Sequence, residues 1–211
     1  MEDFFVKRKL IVLIGLILIT YCFGFNNIFA RSGKDRINQL IKAFTRYDKN
    51  NRSSVKAIES IIDLDFLAKR SMNIHWNKMS DDQKKQFINI FNQLVEKLAY
   101  SKTKDYFRNN KYIISKETNE TKRDYLLDHK KVSVKLIAVN VKIDYETGTG
   151  IKKESVIFYL IKQPNGLVIF DIEMLEGSIV KDYRNQFSKT IRDDGGIDGL
   201  IKKLEKKLKE E

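Results

Sequence analysis

The chain has 211 residues, 42% of them apolar and 32% charged, with a single Pro and a single Cys. At roughly 150 residues per domain, this is one globular domain with at most an appendage, and it is neither disordered nor stapled by disulfides. The formal charge of +12, from 40 basic and 28 acidic residues, favours an anionic partner. One Cys and two His (His75 and His129) exclude a multi-Cys zinc site and a His-rich metal cluster.

Residues 1–30 read as an address for export. Lys7-Arg8-Lys9 precede an apolar run that starts at Leu10 and fades near Phe25, the order of a signal peptide. The run falls short of the ~20 residues that a comfortable membrane-spanning helix needs. Ala30 offers a small residue for cleavage. An uncleaved anchor is the second reading, and a lipoprotein cysteine at Cys22, directly after the bulky Tyr21, the third. The folded domain is then expected over 31–211, and a chain beginning at Ser32 is expected to fold. Without 1–30 it keeps 37 basic against 26 acidic residues, so the positive charge belongs to the domain. Export argues against DNA or RNA as its partner and for transient contact with an anionic membrane surface.

The next stretch is helical. Ile37, Leu40, Ile41 and Phe44 form one face at helical spacing over 34–47, and Asn50-Asn51 ends that helix. Ser53 or Ser54 is the expected cap of the next helix, with Val55, Ile58, Ile61 and Ile62 inward. Asp65 is the expected cap of a short helix through Met72. Ser80-Asp81-Asp82-Gln83 is a capping-box pattern. The helix behind it carries Phe87, Phe91, Leu94 and Leu98 on one stripe.

From Lys111 the period changes to that of strands. Strands are expected over 111–118, 131–145, 154–162 and 167–175. In 131–145 the apolar face switches near Leu136, which predicts a bend or bulge there. Gly148-Thr149-Gly150 and Pro164-Asn165-Gly166 are turns, so the last three strands form an antiparallel meander. Ser178 caps a helix carrying Ile179, Val180, Tyr183, Phe187 and Ile191, and Gly195-Gly196 stops it. A final helix places Leu200, Ile201, Leu204 and Leu208 inward and most of its lysines outward. Helices flanking an antiparallel meander define an α+β domain. A curved sheet wrapped by helices leaves a cone-shaped interior.

No phosphate-binding glycine loop, nucleophile elbow or metal-ligand spacing occurs in the sequence. His75 and His129 sit in turns with no nucleophile and orienting acid beside them. Asp171 interrupts the apolar strand Ile169-Phe170-Asp171-Ile172 and needs a partner if buried. Arg184 on the following helix, in a structural ion pair, or a backbone N–H is the expected partner; an outward face and direct contact with a ligand are the other readings. The 13 Phe and 9 Tyr lie largely on inward stripes, where they either fill a core or line an apolar cavity.

Two segments together resemble a known family. Residues 63–106 carry Asp63-Leu-Asp-Phe-Leu-Ala-Lys-Arg70, His75-Trp76, Ser80-x-x-Gln83-x-x-x-Phe87-x-x-x-Phe91-x-x-Leu94, Tyr100 and Tyr106. Residues 166–204 carry Gly166-Leu-Val-Ile-Phe-Asp171-Ile, Ser178-Ile-Val, Tyr183-Arg184-x-Gln186-Phe187 and Gly196-Ile-Asp198-Gly199-Leu200-Ile201-x-x-Leu204. Both are similar to the MlaC-type (toluene-tolerance, auxiliary transport component) family of periplasmic phospholipid carriers. Glu176-Gly177-Ser178, Leu167 and Asn73-Ile74 depart locally from the family pattern. The resemblance implies a cone-like α+β fold related to nuclear-transport-factor-like domains. It implies no catalytic residue, no metal and no cofactor. The cargo is a phospholipid held by its tails. The partners are an inner-membrane ABC-type transport complex and an outer-membrane lipoprotein complex. The expected lining residues are Phe87, Phe91, Leu94, Val134, Leu136, Phe158, Ile169, Val180, Tyr183 and Phe187. The rival readings are an enzyme with a polar convergent site and a basic interaction module with a filled core.

Overall fold

A computed structural model describes residues 32–210 except 128, 129, 165, 175 and 176. The expected export segment with Cys22, and His129, lie outside the described residues. The order is helices α1 (Gly33–Thr45), α2 (Arg52–Glu59) and α3 (Leu64–Met72), a 3₁₀ turn (Asn73–Lys78), α4 (Asp81–Val95), a π turn (Glu96–Tyr100) and α5 (Ser101–Asn109). Strands β1 (Lys111–Glu117), β2 (Thr121–Leu127), β3 (Lys130–Thr147), β4 (Gly150–Gln163), β5 (Gly166–Met174) and β6 (Gly177–Ser178) follow. Helices α6 (Ile179–Asp193) and α7 (Gly196–Glu210) close the chain. The fold is α+β with an antiparallel sheet.

The sheet order is β1-β3-β4-β5-β6, with β2 also paired to β3. β3 is long enough to serve two partners on one edge. Its residues 139–144 pair with β1, and its residues 130–136 pair with β2. Thr118 bridges the gap, its amide donating to the carbonyl of Ala138 and its hydroxyl accepting from the Ala138 amide. This exchange of partners explains the switch of apolar face near Leu136. The bulge expected there lies elsewhere: the register slips by one residue at Ser115 in β1 and at Phe170 in β5. β2 was not expected at all. Its run Thr-Lys-Arg-Asp-Tyr-Leu-Leu is too polar to announce a strand, and pairing with β3 holds it.

The helix caps follow from short polar side chains reaching unsatisfied amides. Ser80 and Gln83 form the full capping box, and Ser178 accepts from the Lys181 amide. Two caps differ from expectation. Asn51, not Ser53 or Ser54, opens α2 by accepting from the Ser53 amide. Asp63, not Asp65, opens α3 by accepting from the Phe66 amide, while Asp65 accepts from the Asn92 side chain at 2.8 Å. A long-range cap fixes α1 on the sheet. The Glu117 carboxylate accepts from the Gly33 and Lys34 amides at 2.9 and 3.0 Å, where a negative charge meets the positive end of the helix. Gly195 and Gly196 have φ of 85° and 78°, so the corner between α6 and α7 needs residues without a Cβ.

Strand alternation sorts the core into faces. Val139, Val141 and Ile143 of β3 and Val156, Phe158 and Leu160 of β4 pack with Ile37, Ile41, Ile58 and Phe107 of α1, α2 and α5. Leu136, Tyr159 and Phe170 form a smaller cluster with Phe66 and Tyr125. A third cluster is wholly helical, with Met72, Phe87, Phe91, Phe187, Leu200 and Ile201 at its centre. Helix α3 touches all three. Its Leu64, Ala68 and Phe66 belong to different clusters, and its Arg70 guanidinium lies 3.4 Å from the Phe170 ring and donates to the Phe170 carbonyl. An α3 side chain thereby ties the helix to the backbone of the bulge in β5.

Candidate functional site: an apolar cavity between helices and sheet

Helix α4 does not end where its capping pattern fades. It passes without a break into the π turn and then α5. A π turn carries an extra residue, so the stripe that follows it points in a new direction. Phe87, Phe91 and Leu94 face the helical cluster, whereas Tyr100 and Phe107 belong to the core against the sheet. Between these two packing surfaces lies a partly open cavity of about 250 Å³.

Every layer of the fold contributes to its wall. Leu40 and Phe44 come from α1, Leu64, Leu67 and Ser71 from α3, and Phe91 and Val95 from α4. Tyr100 and Thr103 come from the π turn and α5, Phe158 and Ile172 from the sheet, and Val180 and Tyr183 from α6. Among the described residues, no Asp, Glu, Lys, Arg or His lines it. The phenols in the wall are neutral donors. Burial pushes the pKa of Tyr100 and Tyr183 up, and Tyr106 is raised by burial and by its 2.7 Å hydrogen bond to Glu154 Oε2. A wall of this kind can solvate hydrocarbon.

Of the ten expected lining residues, Phe91, Phe158, Val180 and Tyr183 line the cavity. Ile169 is fully buried in the adjoining core but not in the wall. Phe87, Leu94 and Phe187 pack in the helical cluster, where Phe87 meets Phe187 edge-on at 5.5 Å and Phe91 face-on at 5.9 Å. Val134 and Leu136 lie in the cluster around Tyr159 and Phe170, because β3 residues of their parity point away from Val139 and Val141. Several wall residues were not anticipated. Leu40 and Phe44 were visible as the stripe of the first helix. Tyr100 and Thr103 could not be placed without the π turn.

Asp171 lies just behind the wall, beside Ile172, and is 5% exposed. It accepts from the Ser178 hydroxyl at 2.7 Å and from the amides of Ile172 and Val180 at 2.8 and 3.4 Å. The expected ion pair with Arg184 is not formed within 4 Å among the described residues; the direct partners are Ser178 and backbone. Both Arg184 and Arg70 still feel the carboxylate through space. Burial lowers their pKa, that of Arg70 to about 10, and Asp171 opposes the shift. The carboxylate thus ties β5 to the start of α6 and balances two partly desolvated guanidiniums. His75 stands outside the cavity, with Nε2 3.2 Å from Ser188 Oγ.

An α+β chain whose apolar cavity is walled by both layers is built to hold a nonpolar molecule. The profile of the MlaC protein family matches residues 35–206. The chain belongs to that family, whose members are lipid carriers and not enzymes. Comparison with curated proteins returns no match. Among solved structures, the fold is similar to that of a phospholipid-binding protein from Ralstonia solanacearum, solved in complex with a phospholipid. The TM-score is 0.62 at 17% identity, over 86% of this chain and 97% of that one.

Proposed function

We propose that this protein is a periplasmic carrier that holds a phospholipid by its acyl chains in the cavity between helices and sheet. It passes the lipid between an inner-membrane ABC-type transport complex and an outer-membrane lipoprotein complex. Residues 1–30 serve as the export signal, and 31–211 form the lipid-binding domain, with a cone-shaped interior. The observation that carries this reading is a cavity walled almost wholly by hydrocarbon and aromatic rings, with no carboxylate, Lys, Arg or His among the described residues of its lining, in a chain of the MlaC family. The phospholipid bound to the Ralstonia protein of similar fold adds support.

The physical need for a carrier is large. Two acyl chains hold about 30 methylenes, each worth ~0.8 kcal/mol against water, so an unaided crossing would cost more than ~20 kcal/mol. A protein wall of similar apolarity removes that cost and requires no chemistry. At about 250 Å³ the cavity is smaller than the ~300–1,000 Å³ of typical small-ligand sites. Taking two tails therefore requires its walls to part. The domain's excess of 37 basic over 26 acidic residues suits brief docking at anionic surfaces, where each basic residue near the membrane adds about 1 kcal/mol. The filled-core alternative is disfavoured by the cavity itself.

Uptake from vesicles tests the proposal. Delipidated protein should withdraw a labelled phospholipid from liposomes. Phe158→Asp, which puts a carboxylate into the wall, should abolish uptake, and Lys206→Gln on the exposed face of α7 should not. Failure of the parent protein to take up any phospholipid would remove the proposal.

A further inference from the structure

Two side chains of the cavity wall carry hydroxyls that have no hydrogen-bond partner among the described residues, and both oxygens are closed off from the cavity as it stands. Ser71 on α3 and Tyr100 on the π turn are each 1% exposed, and both line the cavity. Neither Ser71 Oγ nor Tyr100 Oη has a hydrogen-bond partner among the described residues. Packing does not require either oxygen. The Tyr100 ring meets Phe44 and Tyr47 edge-on at 5.5 and 5.4 Å, contacts that a phenylalanine would make equally well. The wall beside Ser71 includes Leu67, Phe91 and Val180, where an apolar side chain would avoid the penalty of an unpaired hydroxyl. Serines in a helix commonly turn back to a carbonyl of the preceding turn, and Ser71, in the last turn of α3, does not. Leaving a buried hydroxyl unpaired is costly, and the cost is recovered only when an acceptor arrives.

We propose that, when the walls part to admit the tails, Ser71 and Tyr100 donate hydrogen bonds to the ester carbonyl oxygens of the lipid, so that the cavity reads the acyl-ester linkage as well as the hydrocarbon. This rests on the phospholipid reading above and adds which part of the molecule the wall recognises. Acyl chains carry no acceptor. A head-group phosphate is an anion and calls for cationic partners, which the wall lacks. An ester carbonyl is a neutral acceptor at the head of each chain, and it matches neutral donors set in an apolar wall. Burial keeps the Tyr100 phenol protonated and therefore able to donate.

The test compares a diacyl phospholipid with its dialkyl-ether counterpart, which has the same chains and head group but no carbonyl. Uptake of each from vesicles is measured for the parent protein, Ser71→Ala, Tyr100→Phe and the double variant. The parent should favour the ester lipid, and the ester-to-ether ratio should fall roughly three- to tenfold for each hydroxyl removed. It should approach one in the double variant. Both substitutions delete an unpaired group, so the variants should melt at or above the parent temperature, which confirms that they fold. A parent ratio of one, or a ratio that the substitutions leave unchanged, overturns the proposal. A parent that takes up neither lipid overturns the phospholipid reading itself.

Discussion

Replacing Asp171 by asparagine should weaken the fold and spare the cavity. The carboxylate is buried and accepts three hydrogen bonds, from the Ser178 hydroxyl and from the amides of Ile172 and Val180. Asparagine is nearly isosteric, and its carbonyl can keep the two backbone amides. Its amide group then faces the Ser178 hydroxyl, which already accepts from the Lys181 amide at 3.0 Å. Hydrogen bonds to charged groups contribute about 1.5–3 kcal/mol and neutral ones about 0.5–1.5 kcal/mol. Weakening two and mispairing the third should cost roughly 2–4 kcal/mol, with an added penalty for leaving Arg70 and Arg184 without their nearby counter-charge. In a domain of this size each kcal/mol moves Tm by about 2–4 °C, so a fall of roughly 5–15 °C is expected. Urea titration should show a lower midpoint with an unchanged slope. Lipid uptake by the folded fraction should persist, because Asp171 is not in the wall. A variant as stable as the parent would refute the structural role, and a stable variant that no longer takes lipid would make Asp171 a ligand contact.

Gly199→Ala should destabilise by more than ~2 kcal/mol, since its Cβ would run into the backbone carbonyl of Asp194, and thermal melting reads this directly. Phe187→Asp puts a charge among Phe87, Phe91 and Tyr183, and Phe158→Asp puts one in the core beside the cavity. Both sites are 5% exposed, so both variants should melt below the parent, and circular dichroism reads the folded fraction in which lipid uptake is then compared. His75 has its pKa held below 6.5 by burial and then by Lys78. The unfolded chain therefore binds the proton more readily, so stability is full above about pH 6.5 and declines as pH falls below it. His75→Gln should flatten that part of the pH profile relative to the parent, and parallel profiles would refute the assignment.

Much of the fold was legible in the sequence because single stripes and caps govern it. The face Ile37, Leu40, Ile41 and Phe44, the capping box at Ser80 and the cap at Ser178 all appear as expected. So does the β3-β4-β5 meander. What was not legible depends on long-range partners. β2 is a strand because β3 extends past β1, and no local pattern in Thr121–Leu127 shows that. The cavity wall was only partly legible for the same reason. Phe87 and Phe91 share one stripe of α4, yet of the two only Phe91 reaches the cavity. The π turn redirects the chain after Val95, and strand parity sends Val134 and Leu136 to another cluster. The sequence shows that Asp171 needs a partner if it is buried, and a backbone N–H is among those it offers; the hydroxyl seven residues away and the particular amides, brought near by the β5 bulge and the start of α6, are not legible in it.

The central claim is that the cavity holds a phospholipid. The most direct test is mass spectrometry of the protein purified from its own cell envelope, first under native conditions and then after organic extraction. The account predicts a protein ion heavier than the polypeptide by the mass of one diacyl phospholipid. The same lipid should be recovered in the extract, and Phe158→Asp should lack it. A parent protein that carries no lipid, and remains lipid-free after incubation with vesicles, would contradict it.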